Sequence, residues 1–348
     1  THPSEIVPVA LACAEAAGAS GRAFLEATIA GISLHMHLAD VLELHRHGLH
    51  HVGHAAWVAP LVAGRLLGAT EEETARALTI MAHQLVVPES FARGQLTNLK
   101  ALAYPLLAQR GVQAVTLARA GLSGTSAACE HTAELLCKNF GLAFTISELA
   151  GVKVRTDLSS VSLKAYPAQY ALQPLIAAAC DAARSSLGDR LEAVIVRASK
   201  RTVERTADPA KYAPETPEAA DHSLPFCVAA ALLDGSLTVH ALENGRWRDK
   251  DVRALMAKIR AEPLGEDLGY AVGQQEIELV FTDGGSRKLA CKYPARGSSW
   301  RSIAERKLRN AAEENGLEAE RILAALAPLE SAPNLTSLTS ALAGKRDS

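Results

Sequence analysis

The stretch that decides the reading runs from Thr216 to Gly235, TPEAADHSLPFCVAAALLDG. An acid, an imidazole and a hydroxyl, Asp221, His222 and Ser223, stand directly ahead of the apolar run Leu224 to Leu233. Ser223 suits a helix N-cap, Ala230 and Ala231 suit its middle, and Gly235 suits a left-handed stop, so a buried helix is expected. His222 would then stand at a helix N-terminus. Such an end carries unpaired N–H groups and a partial positive charge, and can hold a carboxylate beside a group able to move a proton. The same residues also fit a purely structural role, with Asp221 and Ser223 capping a core helix and His222 bonded to a neighbouring carbonyl.

Around this stretch lies a chain of 348 residues, long enough for two modest cores. Hydrophobic residues make up 48% of it but aromatics only 4%, so the core is expected to consist of closely packed, alanine-rich helices. A net charge of -2 offers no basic face for nucleic acid. No apolar run is long enough to span a membrane, so neither nucleic acid nor membrane is expected as a partner. The six cysteines are scattered without a C-x-x-C pair, which reads as free thiols in a reducing, cytoplasmic setting.

Ser4 is placed to cap a helix over Ile6 to Ala17, and Gly21 to Leu44 reads as the next. Histidines then crowd the sequence: His35, His37, His45, His47, His50, His51 and His54. His47, His51 and His54 would share one face of a continuous helix, which raises a metal site; histidines on a surface turn broken at Gly48 are the alternative, and no metal is assigned. Thr70 and Glu73 form a capping box for a helix through Ile80. Small-residue helices are expected over Ala101 to Gln109, Gly111 to Leu122 and Ser126 to Phe140. Lys100, facing such helices, must either reach water or bind an anion.

From Val152 the pattern changes. A helix is expected over Leu172 to Ser186, and the β-branched run Leu191 to Arg197 reads as a strand. Lys200 to Lys211 reads as a solvated loop and Asp251 to Arg260 as a short amphipathic helix. Glu276 to Thr282 and Arg287 to Tyr293, joined by Asp283-Gly284-Gly285-Ser286, form a hairpin. Helices over Ser302 to Asn315, with a capping box at Ser302 and Glu305, and over Leu317 to Ala327 close the pattern.

Several of these segments together resemble the MmgE/PrpD family, which includes 2-methylcitrate dehydratases and cis-aconitate decarboxylases. Glu218, Ala220 to Pro225 and Ala231 to Gly235 follow a family segment of the form ETADHS-[IL]-PY-xVAxALLDG, with Phe226 in place of its Tyr. Gly48 to Gly53 with Arg65-Leu66-Leu67-Gly68 is similar to a Gly-Trp-Asp-His-Thr-Thr segment and its helix; His51 takes the imidazole position and Val52-Gly53 replaces Thr-Thr. Gly94, Leu96 and Lys100 resemble the family's Gly-x-Leu-Ser-x-Trp-Lys segment, and Arg110-Gly111-Val112 its later Arg-Gly-Val. Lys164 and Tyr166-Pro167 match its Lys-x-Tyr-Pro signature, after which Gln169-Tyr170-Ala171-Leu172-Gln173 stands where the family often has Glu-Tyr-His-Ser-Gln and loses both the acid and the imidazole. His2-Pro3-Ser4 resembles a family segment preceded by further chain, so the N-terminal part of the family fold is expected to be absent here.

The resemblance implies a mainly α fold: an all-helical domain over residues 1–151, which 316–348 could complete, and a smaller α+β lid over 152–315. It implies a cofactor-independent lyase that removes water or carbon dioxide beside a carboxylate of a small di- or tricarboxylic acid. His51 and His222 are the candidates for proton transfer and Lys100 and Lys164 for holding carboxylates, with His2 and Tyr166 added as substrate contacts. It further implies a homodimer, to which a separate chain could supply an N-terminal segment. A non-catalytic subunit of the same fold, or an isomerase or epimerase acting on a smaller acid, are the alternatives.

Overall fold

Alternating runs of small and branched residues let the first part of the chain pack helix on helix. The computed structural model describes residues 2–153, 161–183, 191–264, 274–292 and 300–344. In chain order the early helices are α1 (Val7–Ala16), α2 (Gly21–Leu42), α3 (Ala55–Leu67), α4 (Glu71–Met81), α5 (Leu99–Arg119), α6 (Ala128–Phe140) and α7 (Ile146–Ala150). The chain divides into two units, one comprising Thr1–Phe91, Ala101–Leu158 and Asn315–Ser348, the other Ala92–Lys100 and Ser159–Glu314.

In the helical unit α3 is central. Ala55 to Pro60 together with Val62 and Ala63 are all buried, and α1, α2 and α4 pack around them. Side chains this short let helix axes approach closely, so the apolar area is gathered without large aromatics. The α4 capping box forms as expected, with the Glu73 N–H bonded to Thr70 Oγ1 at 3.1 Å and the Thr70 N–H to Glu73 Oε2 at 2.8 Å. The two helices anticipated on either side of Arg110 are one, because Pro105 and Gly111 lie within the continuous α5.

The histidine-rich stretch breaks at Gly48, as the second of its two readings has it. Instead of a helix it forms two short 3₁₀ turns, Leu44–His47 and His51–His54, divided where Gly48 takes a positive φ of 72°. His47, His51 and His54 therefore share no helical face, and among the described residues no cluster of three or more His, Cys, Asp or Glu side chains is arranged to hold a metal. His47 Nδ1 instead meets the Phe140 carbonyl at 2.7 Å, and His37 Nε2 meets that of Glu148 at 2.8 Å. At Gly53 a Cβ would lie 2.1 Å from the Leu85 carbonyl oxygen, so a hydroxyl side chain has no room there. Gly53→Ala is expected to cost about 1–3 kcal/mol through overpacking, read as a lower denaturation midpoint in urea.

The later elements are α8 (Gln173–Ala183), β1 (Leu191–Ala198), α9 (Lys200–Thr206), α10 (Pro217–Ala220), α11 (Leu224–Asp234), α12 (Val239–Glu243), α13 (Lys250–Met256), β2 (Ile259–Pro263), β3 (Glu276–Phe281), β4 (Ser286–Ala290) and α14 (Trp300–Glu314). The chain closes with α15 (Ala319–Leu326) and α16 (Thr336–Leu342), which belong to the helical unit. The sheet runs β2-β1-β3-β4, with β1 parallel to β2 and antiparallel to β3, and with β3 and β4 as the expected hairpin. A parallel pair needs a crossover connection. The crossover between β1 and β2 carries α9 to α13, and so seats α11 against α8 and β2.

Three expectations are corrected in this unit. Residues 200–211 are not a solvated loop: they form α9 and a 3₁₀ turn, and Lys211 is only 2% exposed. The helix read over Asp251 to Arg260 stops at Met256, and Ile259 begins β2, because a β-branched residue beside β1 gains a strand partner. The capping box at Ser302 is displaced, since α14 already starts at Trp300 and Glu305 pairs with Arg301 at 3.1 Å. The hairpin's Tyr293 lies outside the described residues. Among the described residues no helix is long and apolar enough to cross a membrane.

Candidate active site

Helix α11 forms as its sequence dictates. The Ser223 hydroxyl accepts from the Phe226 N–H at 3.0 Å and Gly235 closes the other end at φ 66°. Every residue from Leu224 to Leu232 is buried, as a helix apolar on all sides requires. Phe226, in the position where the resembling family has Tyr, is fully buried with its ring edge-on to Trp247 at 6.2 Å between centroids. That ring packs in the core.

The short helix α10 feeds into this end, its own cap made by Thr216 Oγ1 accepting from the Ala219 N–H at 3.0 Å. Asp221 and His222 are left in the corner between α10 and α11, where Asp221 Oδ1 contacts His222 Nδ1. Their side chains are about 31% and 24% exposed, so both reach solvent while the helix ends hold their backbone. A carboxylate on Nδ1 fixes the ring and leaves Nε2 directed away from it, the arrangement of an oriented proton-transfer group.

Two further segments converge on this corner. The turn carrying Lys164, Tyr166 and Pro167 is held by Gln173, which is fully buried. Its Oε1 accepts from the N–H groups of Ala165 and Tyr166 at 2.9 and 3.0 Å, and its Nε2 donates to the carbonyls of Tyr166 and Ala168. The Gln169 N–H then bonds the Asp221 carbonyl at 3.0 Å. The segment leading to Lys100 is tied through Gln95, whose Nε2 donates to the carbonyls of Ala210 and Ala213, and through Thr216 Oγ1 donating to the Leu96 carbonyl at 2.5 Å. Lys100 itself is partly buried in the first turn of α5, its backbone N–H bonded to the Thr97 carbonyl at 2.9 Å.

The structure also places groups that sequence reasoning missed. Lys307 of α14 donates to the Lys164 carbonyl at 2.6 Å, and burial lowers the pKa of its amine. Arg306 lies within electrostatic reach of Tyr166. The Tyr166 phenol is pushed up to about 12, first by burial and then by Cys180, to which it is hydrogen-bonded, so at neutral pH it is protonated. The sequence signal for this cationic edge was the Arg306-Lys307 pair on an otherwise amphipathic helix.

The helical unit holds the remaining candidates in a cluster of rings. His51 lies 4.2 Å from His50 and 5.0 Å from His2 between ring centroids. His54 lies 5.0 Å from His35, which stacks on Tyr104 at 5.9 Å. Burial, followed by the neighbouring imidazoles, lowers His51 and His54 well below the ordinary histidine range. Burial lowers His35 to about 3. His51 Nε2, both ring nitrogens of His54 and the Tyr104 hydroxyl are shielded from solvent and have no hydrogen-bond partner among the described residues. These imidazoles are therefore neutral at physiological pH, and a neutral imidazole can accept a proton.

A helical N-terminal part, a smaller α+β part with a mixed sheet, and an Asp-His pair at a buried helix end define the class of protein to which this chain belongs. The family model of the MmgE/PrpD N-terminal domain matches residues 1–142 and that of the C-terminal domain matches residues 166–325. The chain belongs to the MmgE/PrpD family. Because the family's N-terminal domain is matched, the expectation that the N-terminal part of the fold is absent finds no support. Membership points to a lyase of the dehydratase type.

Proposed function

We propose that the protein is a cofactor-independent lyase acting on a small di- or tricarboxylic acid. It would either dehydrate a hydroxy acid of the 2-methylcitrate kind or decarboxylate an acid of the cis-aconitate kind. The observation that carries the reading is the Asp221–His222 contact at the entry to α11, with the Lys100 segment and the Lys164 turn bonded to the same stretch.

In dehydration, a base takes the proton alpha to a carboxylate, the electron pair forms the new double bond, and the C–O bond breaks as the departing hydroxyl is protonated to water. Decarboxylation instead breaks a C–C bond, leaves its electron pair on carbon and needs a proton delivered there. Both routes load negative charge onto carboxylate oxygens in the transition state, where fixed cations act most strongly. Lys100 and Lys164 are assigned to hold carboxylates, and the protonated phenol of Tyr166 is kept as a substrate contact. His222, oriented by Asp221, is assigned to move the proton. In the helical unit, His51 is a neutral imidazole with His2 beside it, and both are to be tested by substitution.

The test is proton NMR in D₂O with a panel of citrate, 2-methylcitrate, cis-aconitate and smaller hydroxydicarboxylates. Loss of water, loss of carbon dioxide and deuterium exchange each give a distinct spectrum. Lys100→Ala is expected to lower the observed turnover about 10²-fold, as loss of one group that stabilises developing charge does. A folded wild-type protein that neither converts nor exchanges any of these acids would overturn the reading in favour of a non-catalytic homologue.

A further inference from the structure

Lysine is rarely buried outright, because removing an ammonium from water is costly unless it is paired. Lys211 is 2% exposed and ranks among the largest fully buried side chains of the described residues. Its Nζ donates to the carbonyl of Gly94, on the segment that runs to Lys100. Its own carbonyl accepts from Ser223 Oγ at 2.5 Å, the hydroxyl that caps α11. Burial lowers the amine's pKa, while Asp208 and Asp221 oppose that shift, so the ammonium lies within electrostatic reach of the carboxylate that holds His222. One residue thus joins the two segments that carry Lys100 and the Asp-His pair. An apolar side chain of similar reach would fill the same space at lower desolvation cost.

We infer that Lys211 is a positioning residue of the reaction centre: its buried ammonium fixes the Gly94–Lys100 segment and sets the charge beside Asp221, and through Asp221 the orientation of His222. This assignment rests on the reading that Asp221 and His222 move the proton.

The test compares wild type with Lys211→Met, which keeps the length and removes the charge, and with Ser223→Ala, which removes the bond to the Lys211 carbonyl and the cap on the Phe226 N–H but leaves the ammonium in place. Lys211→Met is expected to fold, to lose about tenfold or more in kcat, the scale of a lost charge-assisted contact, and to show a displaced rate–pH profile. Ser223→Ala is expected to lower stability while leaving that profile in place. A Lys211→Met protein with wild-type kcat and an unmoved profile would overturn the inference, as would a rate loss that only follows the folded fraction. A second readout needs no turnover: the His222 ring resonances in a proton–carbon NMR spectrum are expected to move in Lys211→Met and to stay in Ser223→Ala. If wild type converts no acid yet those resonances move, the link from Lys211 to His222 stands while the proposed reaction, and with it the role of Lys211 in catalysis, falls. If they do not move, Lys211 is structural.

Discussion

Replacing His222 by Ala is expected to lower turnover of the acid identified by NMR by about 10²–10⁴-fold, the usual contribution of a positioned acid or base. The stability change should be small, because the side chain is about one quarter exposed and its contact is to the neighbouring Asp221. Asp221→Asn is expected to give a smaller loss. It keeps the side-chain shape but offers an amide where the imidazole met a carboxylate, so the ring loses its charged orienting partner. Steady-state kinetics beside thermal unfolding separates the two effects. A His222→Ala protein of unchanged kcat would remove the Asp-His pair from the mechanism. Phe226 gives a control for the opposite case: its ring lies in the core against Trp247, so Phe226→Tyr is a packing change.

Acid is expected to destabilise the helical unit steeply, because its histidines are folded in as neutral rings. His35 has a folded pKa of about 3 against an ordinary value of 6.5, so the native state excludes a proton that the unfolded chain binds. The stability associated with this group is complete above about pH 6.5 and is lost as pH falls from there toward 3. Each pH unit in that window costs about 1.4 kcal/mol per such group, or about 2 kcal/mol at pH 5 from His35 alone. His51 and His54 shift in the same direction and add to the slope. Urea unfolding at pH 7.5 and pH 5 measures the difference. His35→Phe, an apolar ring over Tyr104, should flatten the slope; an unchanged slope would show that the cluster does not govern acid sensitivity.

Much was legible in the sequence where local chemistry decides. The cap at Ser223, the stop at Gly235, the Thr70–Glu73 box and the β3–β4 hairpin each depend on residues a few positions apart, and each forms as read. The family could likewise be read from short motifs standing in order along the chain. Only the tertiary structure decided what depends on distant partners. Lys211 looked like one more charge in a solvated stretch until the fold set the Gly94 carbonyl over its ammonium. The histidines allowed either a helical face or a turn broken at Gly48, and the fold chose the turn and gave His47 the Phe140 carbonyl. Strand β2 was hidden because its partner, β1, lies across a crossover that local periodicity cannot reveal. Spacing along the chain determined which side chains could act; burial and long-range hydrogen bonds determined which of them are charged, oriented and brought together.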